Sequence, residues 1–173
     1  MGRTVSVRRL PLHIWGDRFE GAGLPFALFD VDWFHCSWPV APDDPANTGV
    51  EAENIRAVWQ NYRRSGSKTP IIAGVIETTG DHERYETCFG LDLAVVHLDA
   101  SFEVAAARLR KRYAAGRRNA LRWHLENHQK LTERLRFACS CELVIDTDDK
   151  SSERVADIVF EQFSPRLLPP STD

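Results

Sequence analysis

The chain has 173 residues, 43% of them hydrophobic and 27% charged, with a formal net charge of −3. That size suits one domain with a sizeable core, and the charge gives no overall attraction for nucleic acid. No apolar run approaches the roughly 20 residues of a membrane span, and no continuous apolar stretch follows the basic N-terminus as in a secretory signal.

Residues 4–7 (TVSV) read as a short strand flanked by arginines. Pro11 suits the first turn of a helix whose inward face is Leu12, Trp15 and Phe19, and Gly21 and Gly23 end it. Residues 26–30 (FALFD) are a buried-type strand, four apolar residues closing on Asp30, with Asp32 two positions on. A loop follows over 33–47, carrying Trp33, Trp38, Pro39, Pro42, Asp43, Asp44 and Pro45. From about Val50 to Gly66 the stripe Ile55, Val58, Trp59 and Tyr62 predicts a helix. The next strand is 70–76 (PIIAGVI), ending at Glu77, and a short helix N-capped by Asp81 runs to about Cys88.

Residues 93–98 (LAVVHL) are another strand, and Ser101 caps a helix with Ala105, Ala106, Leu109 and Tyr113 inward. Residues 114–119 (AAGRRN) break the pattern before a longer helix over about 120–138. Residues 142–146 (ELVID) are the last strand, and a helix capped by Ser151 or Ser152 closes the fold with Val155, Ile158, Val159 and Phe163 inward. The cysteines Cys36, Cys88, Cys139 and Cys141 lack paired C-x-x-C spacing, so they read as reduced thiols of a cytoplasmic protein rather than as a zinc site.

Strands alternating with helices predict a parallel sheet covered on both faces, an α/β three-layer domain over 1–164 with a C-terminal tail at 165–173. In such sheets ligands bind beyond the carboxyl ends of the strands. Asp30 and Asp32 stand at such an end, where paired acids handle a proton or a metal ion. The plainer reading makes one acid a turn cap and leaves the other solvated.

Taken together, LPFALFDVDWF, WPVAPDDPAN, IIAGVIE, RLRKRYAAGRR and ELVIDTDDKSSERVADIV resemble, in order and spacing, a small-molecule kinase of the P-loop type, similar to actinobacterial kinase-like ATPases. The resemblance implies a parallel sheet with its first strand at the centre, followed by a glycine-rich G-x-x-x-x-G-K-[ST] loop that cradles phosphates. Here that motif is degenerate. Its nearest counterpart is RTVSVRRL, with Arg3 and Arg8 in place of the glycines, Arg9 in place of the lysine and Leu10 in place of the hydroxyl residue. Three explanations stand beside one another: a late or frame-disrupted start, a kinase fold that has lost ATP chemistry, or TVSV serving as the middle strand with arginines binding phosphate another way.

The same resemblance implies ATP and Mg²⁺ as cofactors and a small-molecule acceptor, left open among nucleoside, sugar, antibiotic hydroxyl and sulfate ester. It makes Asp32 the base and Asp30 an alternative base or a metal residue, with Glu77 also at the metal. Arg8, Arg9 and Arg112 would meet the nucleotide. Arg117 and Arg118, beside Gly116 in a lid over about 111–120, would neutralise the moving phosphoryl group. Trp33 and Trp38 would line the acceptor pocket, with Trp33 alternatively a core residue. Arg108 and Arg110 read as a solvated basic face, and His124 as a structural or lid-packing residue. The competing functions are a non-catalytic kinase-fold binder of nucleotide, phospho-ligand or protein, and, weakest, a nucleic-acid binder working through the arginine segments.

Overall fold

The computed structural model describes residues 4–7, 12–113, 116, 118–138 and 141–167. The strands are β1 (Thr4–Val7), β2 (Phe26–Asp30), β3 (Thr69–Ala73), β4 (Leu93–Asp99) and β5 (Leu143–Asp146). The helices are α1 (Leu12–Gly21), α2 (Thr48–Arg64), α3 (Thr79–Phe89), α4 (Phe102–Arg112), α5 (Arg118–Ala138) and α6 (Ser152–Leu167), and a 3₁₀ turn (Val31–Trp33) follows β2. None of the described helices is long and apolar enough to cross a membrane.

The strands form one sheet in the order β2-β3-β1-β4-β5, and every neighbouring pair is parallel. The short TVSV segment is therefore the central strand, pairing Val5 with Ile71 on one side and Ala94 on the other. This corrects the alignment of RTVSVRRL with a phosphate-binding loop, because four of its eight residues are strand. What joins β1 to α1 is residues 8–11 alone, and Arg8 and Arg9 lie outside the described residues.

Period-two alternation along the inner strands builds two cores. Ile71, Ala94, Val96 and Ile145 face Trp15 and Phe19 of α1 and Val155, Val159 and Phe163 of α6. Ile72, Val95 and Phe29 face the other way, onto Ile55 and Trp59 of α2 and Tyr85 and Phe89 of α3. Phe29 is fully buried, with the rings of Phe34, Trp59, Tyr62 and Phe89 around it at centroid distances of 5.0 to 6.3 Å. β2 is an edge strand, so Phe26 and Leu28 are only partly buried rather than covered as an inner strand would be.

Two element ends differ from the sequence reading. β3 stops at Ala73 instead of Ile76, because Ala73 pairs with Val7 and Asp30, the last residues of both neighbouring strands, and no ladder exists beyond them. α3 is capped by Thr78, not Asp81. The Thr78 hydroxyl accepts the Asp81 N–H at 3.1 Å while the Asp81 carboxylate accepts the Thr78 N–H at 2.9 Å, a reciprocal capping box. At the other end of the chain α6 runs through Pro165 to Leu167, two residues into the expected tail.

Burial alone would raise the pKa of Asp81, but Arg84, the Thr78 hydroxyl and the Glu77 N–H outweigh it and hold the carboxyl below its usual value. A carboxyl depressed in the folded state adds stability above its unfolded pKa of about 4, and loses it as pH falls through the lower folded value. Chemical denaturation should therefore find Asp81→Asn less stable than wild type at neutral pH, with the gap closing on acidification. Phe29→Ala should cost about 3–5 kcal/mol, read from the denaturant midpoint, because its aromatic neighbours cannot all collapse into the void.

Candidate active site

The site is assembled where β2, β3 and β1 end together. Asp30 pairs with Ala73, and Ala73 with Val7, so the tips of three adjacent strands stand side by side. Asp30 closes β2 and caps the 3₁₀ turn, its Oδ1 accepting the Asp32 N–H at 3.3 Å. Asp32, in the turn itself, is half-buried, and its carbonyl accepts the Cys36 thiol at 2.9 Å. Gly74 lets the two rims meet: a Cβ there would lie 2.7 Å from Cγ2 of Val31, so a side chain would push the β3 exit away from the acidic turn.

The loop after the turn is tied to α2 by side chains. Asn54 Nδ2 donates to the Phe34 carbonyl at 2.9 Å, and Asn47 Nδ2 to the carbonyls of His35 and Ser37 at 2.9 and 3.3 Å. Asn47 is buried and left-handed (φ 54°), a conformation asparagine tolerates better than most residues. Asp44 takes the N–H groups of Thr48, Gly49 and Val50 at 2.7 to 3.2 Å. The amino end of α2 is thereby occupied by the protein's own carboxylate.

Under this loop lies Glu51, buried in the first turn of α2. Its Oε2 accepts from His35 Nδ1 at 2.9 Å and its Oε1 from the Tyr85 hydroxyl at 2.8 Å, with the Arg84 guanidinium 3.8 Å away. Burial, and then the Glu51 carboxylate, push the Tyr85 hydroxyl well above its ordinary pKa, so it stays a donor. Arg84 also binds Asp81 at 2.8 Å, and Asp81 Oδ2 accepts the Glu77 N–H at 3.0 Å. One polar chain thus runs from the loop beside Asp32 to the segment carrying Glu77.

The predicted residues fall into separate groups. Asp30, Asp32 and Glu77 come to one sheet edge; Glu77 is half-buried, with Arg134 of α5 3.6 Å away. Trp33 and Trp38 are 78% and 88% exposed, so Trp33 is not a core residue. Arg112, exposed at the end of α4, lies over the Tyr113 ring at 5.8 Å. Arg118 starts α5 and, with Gly116, Asn119 and Ala120, lines a cavity of about 370 Å³; Arg117 lies outside the described residues. Arg108 binds the Thr147 hydroxyl and carbonyl at 2.9 and 2.6 Å, tying α4 to the end of β5 rather than presenting a solvated face. His124 stacks on Tyr113 at 5.6 Å across the α4–α5 junction.

His35, Glu51, Arg84 and Tyr85 escaped the sequence reading. A signal for Glu51 was present: it stands four and eight residues before Ile55 and Trp59, on the same helical face, so an acid sits on a buried stripe.

No family model matches the chain, and no curated protein matches it. Solved structures do. The tunicamycin resistance protein of Deinococcus radiodurans is similar at 17% identity and a TM-score of 0.63, covering 98% of this chain and 99% of that one. A gluconokinase from Sinorhizobium meliloti 1021 is similar at 16% and 0.58, covering 96% and 93%. The Mycobacterium tuberculosis APS kinase in complex with AMPPNP and APS is similar at 13% and 0.52, covering 94% and 98%. With its five parallel strands centred on β1 and these structural likenesses, the chain has a P-loop kinase-like fold.

Proposed function

We propose that this protein transfers a phosphoryl group from ATP to a hydroxyl of a small molecule. The observation that carries the reading is the alignment of Val7, Ala73 and Asp30 at one rim. It sets the exit of the central strand, where Arg8 and Arg9 follow in sequence, beside the acidic turn and the segment leading to Glu77.

In this reading Asp32 takes the acceptor's hydroxyl proton as the new O–P bond forms and the bond to the leaving ADP breaks. Arg8, Arg9 and Arg112 meet the nucleotide phosphates, and Arg117 and Arg118 neutralise the charge of the group in flight. Trp33 and Trp38 contact the acceptor. Among the described residues no three His, Cys, Asp or Glu side chains form a metal cage. Mg²⁺ carried by a nucleotide keeps waters and phosphate oxygens and takes one or two carboxylates. Half-buried Asp30 and Glu77 fit that smaller demand. When bound, the ion offsets charge between the phosphates.

A second reading, a non-catalytic binder of nucleotide or phospho-ligand, has its own support. The connection from β1 to α1 is residues 8–11, Arg-Arg-Leu-Pro, with no glycine to let the backbone close on a phosphate and no hydroxyl for a metal.

Calorimetric titration with Mg-ATP and a turnover screen separate the two. Phosphoryl transfer predicts a dissociation constant below about a millimolar, and Asp32→Asn should cut turnover by about a hundredfold or more while leaving Mg-ATP affinity in place. Ligand binding with no turnover on any acceptor would establish the second reading.

A further inference from the structure

Resting on the phosphotransferase reading, we propose that the acceptor is an uncharged polyhydroxylated ring compound, of the sugar or nucleoside class, and that His35, aimed by the buried Glu51, hydrogen-bonds one of its hydroxyls.

The argument begins with the histidine. Its side chain is 39% exposed, whereas the Glu51 side chain that binds it is 7% exposed. A carboxylate oxygen accepts, so Nδ1 carries the proton. In the neutral ring Nε2 is then a lone pair seeking a donor. The ring has little freedom to turn away, because Glu51 is itself fixed by Tyr85 and the His35 carbonyl is fixed by Asn47. An exposed imidazole oriented by a carboxylate that is itself held from behind is a preorganised hydrogen-bonding group.

The flanking residues describe the ligand. Trp33 and Trp38, two and three positions to either side, hold their indoles in water on the same loop. Large exposed aromatic surfaces at a cleft are a binding feature, and their flat faces suit the face of a ring. Asp30, Asp32 and Asp43 lie in the same stretch of chain, while Arg84 and Arg134 already face Asp81, Glu51 and Glu77. A carboxylate, sulfate or phosphate on the acceptor would meet like charge; hydroxyl groups would find acceptors.

The test uses the full chain and two pairs of probes, glucose against gluconate and adenosine against adenosine monophosphate, followed by quenching of tryptophan fluorescence without nucleotide. The expected result is saturable binding of an uncharged probe, about tenfold or more tighter than its anionic counterpart. His35→Asn, which keeps an N–H for Glu51 but has nothing at the Nε2 position, should weaken that binding about fivefold with the melting temperature close to wild type. Equal or tighter binding of the anionic probes overturns the inference, as does an His35→Asn variant of unchanged affinity or a failure of both uncharged probes to bind. Selective binding of an uncharged probe without ATP-dependent turnover supports this inference and removes the phosphotransferase reading. Turnover confined to the anionic probes does the reverse.

Discussion

Glu51 is a carboxylate with almost no water, and three donors from different parts of the chain converge on it. Burying an acid is costly unless its oxygens are matched, and removing one partner of a buried charge leaves the other stranded. His35, Tyr85 and Arg84 therefore hold their places together or not at all. Through them the loop after β2, the first turn of α2 and the start of α3 behave as one piece. The acidic turn and the Glu77 segment, on either side of that piece, inherit its rigidity.

Backbone pairing supplies the other half of the arrangement. Three parallel strands ending in step at Val7, Ala73 and Asp30 place their loops on one edge. Gly74 keeps two of those loops in contact, since the space for a Cβ is taken by Val31. Side-chain network and strand register act on the same rim from below and above.

The two halves of the rim have departed unequally from the phosphotransferase plan. On the acceptor side, acids, a carboxylate-held imidazole and exposed indoles are all in place. On the phosphate side, the glycine-rich cradle is replaced by a four-residue connection in which arginine side chains must do what backbone N–H groups do elsewhere. The first half asks what hydroxyl compound is read, and the second asks how a phosphate is held without glycine.

Much of the architecture was legible in sequence because it rests on local periodicity. The apolar run 26–29 with its closing acid, the alternation behind β3 and β4, and the stripe Ile55–Trp59 each report a face that must be buried. The pair Asp30 and Asp32 was legible for the same reason, as acids where an apolar run ends. The sequence could not say that TVSV would be central, because four residues with arginines around them carry little pattern; only the ladders to Ile71 and Ala94 settle it. Nor could it join His35, Glu51, Arg84 and Tyr85, which are up to fifty positions apart and meet only when α2 and α3 pack. Burial fixes which residues turn inward along one element, and that is written in the spacing of residues. The partner that answers a buried charge is chosen by the packing of distant elements, and that is a property of the folded chain alone.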